Sequence, residues 1–222
     1  MRQAYIDQLD SIIDDLVTMT YDVRDSLSRA SRALLHADVD LAERVISEDS
    51  AIDAARERVE DQAFELLALQ QPVARDLRML VAALRMVADL ERMGDLAVHV
   101  AKVARRRVPD VAVPEELLPT MVRMAEVAEE MVGTVAGIIA ERDVAGARRL
   151  ERADDEMDQL RRSSFRITLA DSWPYGVEPA VDIALLGRFY ERIADHAVSL
   201  ARRVVYLVTG EKPLTAEASV TR

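Results

Sequence analysis

Forty of the 222 residues are Asp or Glu, and eight of them fall in a pattern that can do chemistry. Asp49 and Asp53, Glu91 and Asp95, Asp154 and Asp158, and Glu191 and Asp195 form four pairs, each with its members four residues apart. On an α-helix such members stack on one face, with roughly 5–6 Å between Cβ atoms. A single pair is noise in so acidic a chain, but the relation between pairs is informative. Asp49/Asp95 and Asp53/Glu91 are symmetric about residue 72, and Asp154/Asp195 and Asp158/Glu191 about position 174.5, where Pro72 and Pro174 stand. If antiparallel helices turn at those points, each hairpin sets four carboxylates at one level.

Four partly desolvated carboxylates repel one another by several kcal/mol at an effective dielectric constant of about 20. Such a group persists with protons, basic partners or cations. Carboxylate-only donors suit hard or oxophilic cations: Mg²⁺, Mn²⁺, Ca²⁺ or iron. Gly94 and its counterpart Ala194 are small and leave room beside the acids. The bland alternative is a solvated acidic face neutralised by Arg56, Arg92, Arg162 or Arg192.

The elements that must position these residues are helical. The first proline is Pro72 and the first glycine Gly94, so the first 70 or so residues favour long helices. Leu9, Ile12, Ile13, Leu16, Met19, Val23, Leu27 and Leu34 recur at helical spacing. The break at 36–40 ends this first helix, and Asp38 or Asp40 can cap a second, from about Val39 to Gln70. Pro72 suits the first turn of a third helix, which runs to about Arg107. After Pro109–Pro114 the pattern restarts, with helices over about Glu115–Ala140, Val144–Ala170 and Val177–Val208. The expected fold is all-α: two tandem three-helix bundles of six long helices, at 1–108 and 115–209, with a linker at 109–114 and a frayed tail at 210–222. One continuous six-helix bundle is the alternative.

The halves repeat. At an offset of 105, Asp38, Val39, Ala42, Arg44, Asp49 and Asp53 match Asp143, Val144, Ala147, Arg149, Asp154 and Asp158. At an offset of 100, Glu91, Arg92, Asp95, Ala97, Val98 and Ala101 match Glu191, Arg192, Asp195, Ala197, Val198 and Ala201. His99 and His196 lie close enough in sequence to join a metal site, but Ser199 and Leu96 stand opposite them in the repeat. Helix packing is the plainer role for both. Asp89 flanks the first site, and Phe189 replaces it in the second. Trp173 and Tyr175 crown the second hairpin and are expected to pack on neighbouring helices. Arg105–Arg107 read as a solvated helix end.

Composition excludes other classes. A net charge of −11 argues against a general nucleic-acid binder. The absence of cysteine removes disulfides, thiolate metal sites and a Cys nucleophile. No apolar run reaches the roughly 18–20 residues that span a bilayer, and the first 15 residues lack a signal-like apolar segment. The expectation is a soluble, cytoplasmic protein. A carboxylate di-metal oxidase usually takes Glu-x-x-His from two helices, and no Glu-x-x-His occurs.

On the four acidic pairs, and on the stretches DLERMGDLAVHVAK and GRFYERIADHAVSLARRV, the chain over about residues 1–210 resembles the PhoU family of phosphate-signalling proteins. The resemblance implies two tandem three-helix bundles whose paired E(D)xxxD motifs bind metal ions, in some members multinuclear iron clusters. Here the matching residues are Asp49, Asp53, Glu91, Asp95, Asp154, Asp158, Glu191 and Asp195. It implies a cytoplasmic regulator without turnover, which damps phosphate uptake and starvation signalling. Its implied partners are the transporter ATPase (PstB-like) and a sensor histidine kinase (PhoR-like), with the membrane reached only through them. The long amphipathic helices fit a homodimer. The competing reading is a purely structural helical adaptor whose acids only solubilise the bundle.

Overall fold

The proline-free opening of the chain forms one helix, α1 (Arg2–His36), in a computed structural model that describes residues 2–211. Its apolar stripe, from Leu9 through Leu34, is buried as the spacing requires. Ala37 then takes a left-handed conformation (φ 52°), and Asp38 caps α2 (Val39–Glu48) by accepting a hydrogen bond from the Leu41 amide at 2.9 Å.

The second expected helix, Val39–Gln70, is interrupted at Asp49, which separates α2 from α3 (Ser50–Gln70). The Asp49 backbone stays helical, but its carbonyl accepts from Ile52 at 2.9 Å and from Asp53 at 3.3 Å. The turn is therefore tightened toward 3₁₀ geometry at a candidate site residue. Pro72 is not in the first turn of the next helix, as the sequence led us to expect. Gln71 is left-handed (φ 45°), Val73 is extended, and α4 begins two residues later, spanning Ala74–Arg107. A proline disfavours right-handed helix in the residue before it, which fits the turn at Gln71.

After a 3₁₀ turn at Glu115–Leu117 come α5 (Leu118–Glu141), α6 (Val144–Thr168) and α7 (Val177–Thr209). Arg142 (φ 54°) and Asp143 (ψ 96°) reproduce Ala37 (φ 52°) and Asp38 (ψ 94°), so the repeat holds at the level of backbone angles. Between α6 and α7, Trp173 packs on the core, donates through Nε1 to the Gly176 carbonyl at 2.7 Å and meets Tyr175 edge-on at 4.9 Å. The tail expected at 210–222 lies largely outside the described residues.

Among the described residues there is helix but no strand. α1, α4, α5 and α7 pack around one another, with α2 and α3 against α1 and α4 on one side and α6 against α5 and α7 on the other. A single cluster of buried apolar side chains runs through both repeats. Inside it, the Tyr190 and Ser31 hydroxyls share a hydrogen bond at 3.0 Å, so neither buried oxygen is left without a partner. α4 and α7 run antiparallel across the boundary between the repeats. Arg105 and Arg106 stay exposed at this helix end, as expected, but the end is also tied down: Arg106 and Arg107 both pair with Asp182, whose side chain is 3% exposed, and Arg107 also reaches Glu178. Arg105 pairs with Glu43 at 3.2 Å. No helix among the described residues is long and apolar enough to cross a membrane.

Candidate functional site

The first acidic group sits where α4 passes the α2–α3 junction. Glu91 and Asp95 lie one helical turn apart on α4, with Gly94 between them. That glycine eases a close approach: a Cβ there lies 3.0 Å from Ile52 Cδ1 and 3.8 Å from Asp49 Oδ1. The helices therefore meet with Asp49 beside the Glu91–Asp95 turn. Electrostatics agree. Burial raises the Asp49 carboxyl above its ordinary range, and Asp95 and Asp53 add to the effect against Lys102 and His99. Burial also raises Glu91, with Asp95 and Asp53 adding and Arg56 and Arg92 opposing. Asp49 and Glu91 thus each feel the same two neighbours, Asp53 and Asp95.

The second group repeats this between α6 and α7. Burial pushes Asp154 up to about 6, with Asp195, Asp158, Glu191 and Asp155 all contributing. Asp195 is raised by burial and by Glu191, while Arg188 and His196 oppose. Basic residues answer this group more directly. Glu191 accepts from Arg161 Nη1 at 3.0 Å and from Arg188 Nη1, and Asp158 accepts from Arg162 at 3.3 Å.

In this conformation no three His, Asp or Glu side chains among the described residues converge closely enough to share one cation. The donor set nevertheless fits a hard cation. Every donor is a carboxylate, burial and then mutual repulsion raise several of them, and Asp53, Asp95 and the half-exposed Asp158 lie at the surface, where rotamers reorient within nanoseconds.

The histidines are placed elsewhere. His196 Nδ1 meets Asp89 Oδ1 at 3.0 Å, and His99 stacks on Phe189 with ring centroids 5.3 Å apart. Asp89 does more than flank the first site. It is buried on α4 and also accepts from Ser199 at 3.1 Å and from Arg203 at 2.8 Å on α7. Burial pushes its carboxyl up, but the His196 and Arg203 hydrogen bonds outweigh that and hold it below the ordinary range. The two contacts are repeat-related: Asp89 faces His196 and Ser199 where Phe189 faces His99. Sequence reasoning missed Arg203, Arg161 and Arg188. Only Arg188 left a local signal, at three residues before Glu191 on one helix face.

The PhoU domain family matches this chain twice, over residues 16–104 and 121–204. The chain is 46% identical over 213 residues to the phosphate-specific transport system accessory protein PhoU homolog 2 of Mycobacterium tuberculosis, covering 96% of this chain and all of that one. A PhoU homolog of Deinococcus radiodurans is 34% identical, over 96% of this chain and all of its own length. The crystal structure of PhoU from Pseudomonas aeruginosa superposes with a TM-score of 0.87 at 27% identity, covering 93% of this chain and all of that one. With both repeats matched and the fold shared, the chain belongs to the PhoU family.

Proposed function

We propose that this protein is an accessory regulator of a phosphate-specific transport system. In this reading it damps phosphate uptake and starvation signalling, linking a PstB-like transporter ATPase to a PhoR-like sensor histidine kinase. It works in the cytoplasm as a homodimer, without catalytic turnover. The observation that carries the reading is the pair of repeat-related carboxylate groups, Asp49, Asp53, Glu91 and Asp95 and Asp154, Asp158, Glu191 and Asp195, in which burial, with neighbouring carboxylates adding to it, raises Asp49, Glu91, Asp154 and Asp195. These eight residues hold metal ions: iron, Mn²⁺ or Mg²⁺. A bound cation supplies the positive charge that lets four acids persist at one level, and so ties α2–α3 to α4 and α6 to α7.

The names of the relatives support the transport-system role. The test is calorimetric titration of metal-stripped protein with Mn²⁺, Mg²⁺ and anaerobic Fe²⁺, beside a variant carrying Glu91→Ala and Glu191→Ala. Saturable binding that is lost in the variant is expected. Equal binding in both proteins, or none, overturns the metal assignment and leaves the acids as a solvated or docking face. For the regulatory role, deletion of the gene is expected to leave uptake unrepressed at high phosphate. Normal repression in a strain with no second copy sinks it.

A further inference from the structure

The repeat supplies an internal control, since the two acidic groups occupy one scaffold twice and differ in the cations around them. At the α3/α6 offset, Arg161 and Arg162 correspond to Arg56 and Glu57. At the α4/α7 offset, Arg188 corresponds to Ala88. The consequences are visible in the contacts. The Glu191 side chain, 11% exposed, accepts from Arg161 at 3.0 Å on one oxygen and from Arg188 on the other. Among the described residues Glu91 makes no ion pair, and Arg56 reaches only Glu57, at 4.0 Å. The first group thus keeps its carboxylates free of bonded cations, while the second has two guanidinium groups on its most buried acid.

We propose that Arg188, together with Arg161, is a built-in counter-cation that makes the second carboxylate group the weaker metal site, so that the first fills first. The inference rests on the metal-binding reading above. A divalent cation entering the second group must displace two charge-assisted hydrogen bonds from Glu191, the strong kind. If the arginines stay, it must sit beside their positive charge. Glu91 has no such bonds to lose: Arg56 and Arg92 act on it only through space. One difference runs the other way: Asp155 adds a carboxylate near the second group where the first has Ser50. Asp155 is exposed, so solvent and salt screen it, whereas the Glu191 pairs are partly buried and screened less.

The test uses the stripped full-length chain and Mn²⁺ by calorimetry. Wild type is expected to show two classes of site, the tighter lost in Glu91→Ala and the weaker in Glu191→Ala. Arg188→Ala and Arg188→Gln are expected to tighten the weaker class by about tenfold, the equivalent of one charge-assisted hydrogen bond. Ala88→Arg should weaken the tighter class by a similar factor, with helicity and thermal midpoint confirming that each variant is folded. Two classes of equal affinity in wild type, or an unmoved weaker class in both Arg188 variants, overturn the ranking and leave metal binding intact. Absence of saturable binding in every protein overturns the metal reading itself, and the ranking with it.

Discussion

Asp89 Oδ2 of α4 and Arg203 Nε of α7 stand 2.8 Å apart across the boundary between the two repeats. His196 and Ser199 complete the shell around the same carboxylate. This is a polar fastening between two helices that are otherwise packed largely through apolar side chains, and its energetics follow from its burial. Removing one partner leaves the other charge partly buried without compensation.

Asp89→Asn is therefore expected to destabilise the fold by about 1–3 kcal/mol. Urea denaturation at neutral pH checks this. The sign with pH is also defined. A carboxyl held low in the folded state stabilises above its unfolded pKa and loses that contribution as pH falls through the folded value. The gap between wild type and Asp89→Asn should thus narrow on acidification below about pH 4.

Asp154 predicts the opposite trend. Its carboxyl is raised from 3.8 to about 6, so in the metal-free fold it holds its proton more tightly than in the unfolded chain. Its contribution to stability is then present at low pH and lost as pH rises from about 4 through 6. Metal-free wild type is expected to lose stability relative to Asp154→Asn over that window. Thermal midpoints of the two proteins from pH 4 to 7 measure it, and a flat difference contradicts the placement of Asp154 among the other acids.

Gly94 of α4 sits directly against Ile52 of α3. A Cβ meets the end of Ile52 at 3.0 Å, and a branched side chain would also press on Asp49. Gly94→Val is expected to cost about 1–3 kcal/mol through overpacking and to weaken cation binding at the first group. Ala is milder, because its gain in helix propensity of about 1 kcal/mol offsets the crowding. Denaturation and Mn²⁺ titration of the two variants separate these effects.

Asp182, almost fully buried, binds both Arg106 and Arg107 at the other end of the α4–α7 contact. Asp182→Ala should destabilise by about 1–3 kcal/mol. The loss stays in this range because Arg106, with 59% of its side chain exposed, can turn to water. A thermal midpoint unchanged from wild type contradicts the pairing.

The helices and the level of the acidic pairs were legible because they depend on local rules. The α1 stripe follows the helical period, Asp38 is a capping residue, and the symmetry about Pro72 and Pro174 follows from antiparallel geometry. The break at Asp49 was not legible, since it rests on which carbonyl Ile52 and Asp53 share and no residue type signals that. The start of α4 was misplaced because Pro72 acted on the residue before it. Arg203 and Arg161 reach acids on other helices, Arg203 from 114 residues away in sequence. Such partners depend on how helices dock, within a repeat for Arg161 and between repeats for Arg203, which no spacing rule encodes. His196 stands beside a candidate ligand in sequence yet points to Asp89, because neighbours on a helix face different directions.

The paired contacts at the centre, Asp89 with His196 and Arg203 on one side and Phe189 with His99 on the other, have an evolutionary consequence. A chain built from two copies of the first half would set Asp89 against Leu96, His99 and Val103, the counterparts of His196, Ser199 and Arg203. Its carboxylate would then be buried without the guanidinium that answers it. The duplicated halves have diverged into complementary rather than interchangeable parts, and a domain-shuffled protein would need Arg203 and Asp89 to travel together.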